Sequence, residues 1–240
     1  MAALFVYNMD DDVNNATSEV ETFRINAQVE DVTEQIIDRE PGTAWEPICF
    51  AAVENLCVYD ENGYRIRMGD VYMKQKTILI FVRHFLCFIC KDYVADLARV
   101  QERYLKEAGV QLVVIGHAPH KYIKPFRELT GLHHLLYCDP ERKVYHELQL
   151  RSAELVQKKS PHVRSSTVLG ILNSTWRAMQ CMEWQGNIDQ QGGAFVVGPG
   201  NNVHYAHIDY GATDHAPINE VLMAADVKTM DFTRAQVIHI

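Results

Sequence analysis

Thr77-Ile-Leu-Ile-Phe-Val-Arg83, then His84-Phe-Leu-Cys87-Phe-Ile-Cys90, then Lys91-Asp-Tyr93, join a strand signal to a helix signal across two cysteines. The first run is continuously apolar, as in strands buried on both faces of a parallel sheet. Beyond the cysteines, Tyr93, Val94, Leu97, Val100, Tyr104, Leu105 and Ala108 recur at helical spacing, and Gly109 is placed to end the helix. Val110-Gln-Leu-Val-Val-Ile-Gly116 is a second apolar strand. Strand, helix, strand predicts a βαβ unit with parallel strands and a right-handed crossover.

On either side the pattern continues as α/β. Val58 to Arg67 reads as strand, Asn62-Gly63 turn, strand. Trp45 to Cys57 suggests a short helix before it, and Lys121 to Thr130 a helix after Pro119. Leu135-Leu-Tyr-Cys138 is a short third strand of the unit, and Pro140 to Leu150 a helix with Asp139 as N-cap. Ala194 to Val197 and Val203 to Ile208 form a second hairpin across Gly198-Pro-Gly-Asn-Asn202. Asp214 is expected to cap a last helix over 215–225, and the tail from Phe232 to pack on an edge. Two segments fall outside this scheme. Residues 1–43 are a polar, acidic extension, so the domain is expected to span 44–240. Residues 151–190 read as a helical insertion whose apolar face includes Trp176, Met179 and Trp184.

Composition narrows the function. The chain has 240 residues and a formal charge of −8, which disfavours binding to nucleic acid or an anionic membrane. No apolar run approaches the ~20 residues of a membrane span. The start lacks a basic segment and a long apolar run, so the expected compartment is the cytoplasm, where most of the six cysteines would be buried thiols.

The exception is Cys87-Phe-Ile-Cys90. At a helix start, residues three apart share a face roughly 5–6 Å apart, which suits a disulfide. The first cysteine, at or near the N-cap, meets unpaired backbone N–H groups and the helix dipole, both favouring thiolate. Cys90, one turn inside, would be more buried and suited to resolve an oxidised Cys87. Arg83 would stabilise the thiolate and polarise a peroxide oxygen, and His84 could shuttle a proton. Zinc binding is disfavoured because Cys138 and Cys181 stand alone and supply no second pair. Inert core cysteines are the other alternative. No metal, flavin or nucleotide motif is present, and Gly192-Gly193 precedes a strand, so it reads as a close backbone approach to the Cys site. His204, His207, Asp209 and His215 invite a catalytic or metal reading. Strand alternation places His204 and His207 on opposite faces, so these residues read better as a surface hairpin.

Phe81-Val-Arg-His-Phe-Leu-Cys-Phe-Ile-Cys-Lys-Asp-Tyr93, Gly192-Gly193 with its strand, Gly198 to His204 and Asp214-His-Ala-Pro-Ile-Asn219 resemble the peroxiredoxin-like 2 family, of AhpC/TSA antioxidant type, over about residues 45–240. The resemblance implies a thioredoxin-like fold, a central mixed sheet flanked by helices with the Cys pair at a helix start. It implies a thiol antioxidant activity on a peroxide, or reduction of a prostaglandin-type endoperoxide, with Cys87 as nucleophile and Cys90 resolving. Selenocysteine relatives carry selenium at the place of Cys87. The chain departs from ordinary peroxiredoxins, which have Ser or Thr three residues before the peroxidatic cysteine. His84 stands there, and setting the frame on Cys90 instead makes Cys90 the peroxidatic candidate. The expected partners are the peroxide or endoperoxide and a thioredoxin-type reductant, with no cofactor or metal. A homodimer through the extension or the insertion is left open. His84, Phe85, Phe88, Gly192, Gly193 and Trp176 are the expected substrate contacts, with Arg83, Cys87 and Cys90 catalytic.

Overall fold

The apolar run at 77 forms a strand, Thr77–Phe81 (β3), with all five residues buried. The computed structural model describes residues 48–152, 187 and 189–232. The N-terminal extension, nearly all of the 151–190 insertion with Trp176, and the tail beyond Phe232 lie outside the described residues. In chain order the remaining elements are α1 (Phe50–Val53), β1 (Cys57–Tyr59), β2 (Arg65–Arg67) and α2 (Met68–Tyr72), which precede β3. After it come α3 (Phe88–Leu97), α4 (Glu102–Ala108), β4 (Gln111–Gly116), a 3-10 turn His120–Tyr122 and α5 (Ile123–Thr130). The series closes with β5 (Leu135–Cys138), α6 (Lys143–Glu147), β6 (Gly193–Val197), β7 (Val203–Ile208) and α7 (Ile218–Ala224).

The described strands make one mixed sheet in the order β2-β1-β5-β4-β3-β6-β7. β3 pairs in parallel with β4, and β4 with β5, as the βαβ reading requires. β6 runs antiparallel to β3 with Phe81 opposite Gly193, and β7 antiparallel to β6. Alternation along the strands separates two cores. On one face Ile78, Ile80, Leu112, Val114, Ala194 and Val196 pack with Ile89 to Leu97 of α3, Phe126 of α5, and Ile218, Val221 and Leu222 of α7. On the other, Phe50, Tyr72, Phe195, Phe81 and Tyr145 form an edge-to-face aromatic chain with centroids 5.1–5.8 Å apart. Helices therefore cover both faces, and the fold is thioredoxin-like α/β. No helix among the described residues is long and apolar enough to cross a membrane.

Three local expectations are corrected. The helix expected from the Cys pair to Gly109 is two helices. Gln101 takes extended backbone (φ −76°, ψ 129°) as the N-cap of α4, and Val100 O lies 3.0 Å from His134 Nε2 instead of feeding an intrahelical bond. Asp139 does cap a helix, but at Lys143, not Pro140. Its carboxylate accepts from the amides of Lys143, Val144 and Tyr145 at 3.1, 2.7 and 3.4 Å, with Arg142 left-handed between. Asp214 does not cap the last helix. It accepts from the Tyr210 amide at 3.0 Å and closes that turn, leaving Pro217 at the N-cap of α7.

Candidate active site

After β3, Val82 still donates its N–H to Ile115 O, so the chain leaves the sheet only at Arg83. A turn follows in which the Cys87 amide donates to His84 O at 3.1 Å. That turn sets Cys87 as the N-cap of α3, in extended backbone, with its Sγ accepting from the Cys90 amide at 3.4 Å. A cysteine sulfur thus does what a Ser or Asp oxygen does at ordinary N-caps, and a thiolate does it better.

The two thiols are held differently. Cys87 is 4% exposed and Cys90 fully buried. Hydrogen bonding from the Cys90 side chain holds the Cys87 thiol down at about 6, and Arg83, the Cys90 amide and His215 act the same way against the opposing effect of burial. Arg83 Nη1 lies 4.0 Å from Cys87 Sγ, and its Nε donates to Gln190 O at 3.4 Å. Cys90 is pushed well up, first by burial and then by the neighbouring Cys87. Both are free thiols, as is buried Cys138, which burial pushes up to about 12. Arg83, Cys87 and Cys90 therefore converge at one point.

The remaining expected contacts divide. His84 is buried, its Nδ1 has no hydrogen-bond partner among the described residues, and burial with Arg83 close by lowers its pKa to about 3. Burial thus favours the neutral imidazole beside Arg83. Phe85 lies in the core, 2% exposed, stacked on Phe126 at 4.4 Å over the space left by Gly116. It supports the loop from below. Phe88 is half-buried at the start of α3. Gly192 and Gly193 are both buried. A Cβ on Gly192 would stand 2.1 Å from Phe81 O and 2.9 Å from Asp209 Oδ2, so the backbone crosses there because no side chain intervenes.

Gly192 leads to what the sequence reading missed. His204 stays on the outer face, 2.8 Å from Gly198 O. His207, Asp209 and His215, by contrast, are gathered by the 210–214 turn. His215 Nδ1 lies 2.6 Å from Asp209 Oδ2, and His207 Nε2 is 3.4 Å from Asp209 Oδ1 and 2.6 Å from Asp214 O. Asp209 is 1% exposed and His215 5%. Burial works against the Asp209 charge, but His215 and His207 outweigh it and hold the carboxyl below its usual range. The His215 ring packs on Tyr93 of α3 at 4.8 Å, and its Nε2 is buried without a hydrogen-bond partner among the described residues. The reading of these residues as a surface hairpin is corrected. The available signal was Asp214-His215 following Gly211, a turn that folds a histidine back toward the sheet. Among the described residues, no three His, Cys, Asp or Glu side chains are grouped to hold a metal ion.

Comparison with known proteins places the chain among relatives. Residues 96–211 match the family described as AhpC/TSA antioxidant enzyme, a match that begins just after the Cys pair. The chain is 44% identical over 202 residues to peroxiredoxin-like 2C of Bos taurus, covering 82% of this chain and 88% of that one. It is 24% identical over 166 residues to prostamide/prostaglandin F synthase of Danio rerio, covering 69% and 81%. Among solved structures, peroxidoxin BcpB from Mycobacterium tuberculosis superposes with a TM-score of 0.51 at 13% identity, over 71% of this chain and 91% of that one.

Proposed function

The chain belongs to the peroxiredoxin-like, AhpC/TSA type of thiol oxidoreductase family, and from that premise we propose that it reduces a peroxide through a Cys87/Cys90 dithiol–disulfide cycle. The observation that carries the reading is the asymmetry of the pair: a thiol at the helix N-cap beside Arg83, held at about 6, and a buried protonated thiol one turn inside. The Cys87 thiolate attacks one peroxide oxygen. The S–O bond forms, the O–O bond breaks, and the other oxygen leaves as alkoxide or hydroxide and takes up a proton. Cys87 is then a sulfenic acid. Cys90 attacks its sulfur, giving the disulfide and water. An external dithiol of thioredoxin type restores both thiols. Arg83 stabilises the thiolate and the negative charge that develops on the oxygens.

A second reading is favoured by the similarity to prostamide/prostaglandin F synthase. With an endoperoxide, Cys87 would form a sulfenate ester with one oxygen while the other leaves as a tethered alkoxide. Attack by Cys90 would release the diol, with no water formed. Half-buried Phe88 beside the thiol suits an apolar substrate of this kind.

The test is NADPH consumption coupled through thioredoxin reductase and thioredoxin, with hydrogen peroxide, an alkyl hydroperoxide and a bicyclic endoperoxide. Turnover is expected in the parent protein and lost in Cys87→Ser. The preferred peroxide distinguishes the two readings. Turnover that survives Cys87→Ser and is lost only in Cys90→Ser would reverse the roles of the two thiols. No turnover with any peroxide would overturn the proposal.

A further inference from the structure

The 190–192 segment ties the thiol to the buried histidine. Arg83, which approaches Cys87 Sγ, also donates to Gln190 O. Two residues on, Gly192 O accepts from the Asp209 amide at 3.1 Å, and the Gly192 backbone packs against the Asp209 carboxylate. Asp209 holds His215 Nδ1 at 2.6 Å. The His215 ring returns to α3 by packing on Tyr93, which lies one turn beyond Cys90 on the same helix face. Tyr93 Oη in turn donates to Ala216 O at 2.7 Å and pins the residue after His215. An imidazole is thus oriented on one nitrogen by a buried carboxylate, while its other nitrogen is buried and unsatisfied. An unsatisfied buried polar atom is costly in a native fold and calls for a functional explanation.

We propose that Asp209 and His215 form a proton-handling dyad for Cys87, with His215 as the catalytic acid–base and Asp209 as its positioning residue. A base oriented by a third group is the arrangement that activates other thiols and hydroxyls. His215 takes the Cys87 proton on Nε2, leaving a thiolate–imidazolium pair beside the Asp209 carboxylate. When the O–O bond breaks, the same proton passes to the leaving oxygen, and His215 is neutral again. In the resolving step it takes the Cys90 proton and returns it to the hydroxide lost from the sulfenic acid. Protons balance over the cycle, and no further co-reactant is needed. The peroxide steps rest on the function proposed above, but the thiolate–imidazolium pair does not.

His215 meets Asp209 from the end of β7 and Tyr93 from α3, and acts electrostatically on Cys87; His207 and Asp214 adjoin it through Asp209 and the 210–214 turn. Arg83, Tyr205 and Glu220 lie farther out. Two reactions of Cys87 are compared across pH by stopped flow. Alkylation by iodoacetamide needs the thiolate and no acid, whereas attack on an alkyl hydroperoxide also needs a proton for the alkoxide. In the parent protein, alkylation should rise to a plateau, while peroxide reaction should rise and then fall, because it needs a proton donor as well as the thiolate. In His215→Gln, the alkylation midpoint should move to higher pH. On the alkylation plateau the peroxide rate should fall by about 100-fold or more, the usual scale for losing a general acid, with alkylation within about twofold of the parent. Asp209→Asn should repeat both effects and carries the test should His215→Gln fail to fold. His204→Gln, on the outer face of the same strand, should change neither rate. An unmoved alkylation midpoint with an unchanged peroxide rate in either dyad variant would overturn the proposal. A parent protein that consumes no peroxide but shows the midpoint shift in His215→Gln would keep the dyad and overturn the peroxidase reading.

Discussion

Cys87 and Cys90 are one residue type a single helical turn apart, and their surroundings give them opposite protonation. Cys87 sits where α3 offers an unpaired amide, with Arg83 outside the helix. Cys90 sits inside, where burial and the neighbouring Cys87 outweigh what Arg83 offers a charge. Removing the arginine should weaken this contrast without removing it, since the Cys90 hydrogen bond and amide remain. Arg83→Met should raise the Cys87 midpoint from about 6, read from thiolate absorbance near 240 nm, and should slow peroxide reaction most at acid pH. A midpoint that stays in place would mean that the helix cap and His215 set it without the arginine. The positions of Cys87 and Arg83 were legible in the sequence, because a C-x-x-C at a strand–helix junction fixes the cap position. The fate of His84 was not, since a histidine three residues past a strand gives no sign of which way it turns.

At the scale of elements, close backbone approaches and buried hydrogen bonds hold the site. Gly192 lets the chain entering β6 cross the end of β3 against Phe81 O. Gly192→Ala must push the two apart or strain both, a cost on the order of 1–3 kcal/mol as in overpacked cores. It should lower the urea midpoint and also disturb Asp209, which the same Cβ would press. On the other face of the sheet, Tyr145 Oη lies 2.7 and 2.8 Å from Val82 O and Ile115 O and shares its one hydrogen between them. Tyr145→Phe should cost roughly 1–2 kcal/mol in urea unfolding, with Cys87 alkylation unchanged because the site lies on α3. The strands, the parallel pairing and both hairpins follow from period-2 alternation, continuous apolar runs and turn residues. The boundary between α3 and α4 does not, because Tyr93 through Ala108 keeps helical spacing straight across it. Only the contact between His134 and Val100, 34 residues apart, marks the break. Asp139 was a recognisable cap, but its carboxylate spans an extra turn that Arg142 closes in a left-handed conformation no local pattern announces.

The whole molecule buries several imidazoles, and their protonation links its stability to pH. Burial lowers His84 to about 3, and His117 and His134 to about 4, from the ordinary 6.5. Between about 6.5 and 4 the unfolded chain binds protons that these groups refuse in the fold, so stability falls as pH falls through that window. Each imidazole contributes a slope of up to about 1.4 kcal/mol per pH unit. His207 opposes this in part. Burial disfavours its charge, but Asp209 and Asp214 raise it overall, so its contribution is present at low pH and lost as pH rises. Urea midpoints should drop steeply below pH 6 and keep rising from about pH 6 to 9, where Cys87 is a thiolate in the fold and a thiol in the unfolded chain. Stability maintained down to pH 4.5 would mean that these histidines accept protons in the fold. At this scale the α/β architecture was legible from the sequence, whereas the Asp209–His215 pair was not. It depends on the 210–214 turn bringing the strand end back against α3, a tertiary event with only Gly211 and Asp214 as local signs.

The most direct test of the account follows the oxidation of the two thiols one at a time. Reduced protein is given one equivalent of hydrogen peroxide at pH 7, and its mass and cysteine-containing peptides are read by mass spectrometry. The parent should lose two hydrogens and yield a peptide closed by a Cys87–Cys90 disulfide. Cys90→Ser should instead accumulate a sulfenic acid at Cys87, captured by dimedone. A sulfenic acid found at Cys90 in Cys87→Ser, with Cys87 left reduced in Cys90→Ser, would contradict the assignment of Cys87 as the reacting thiol.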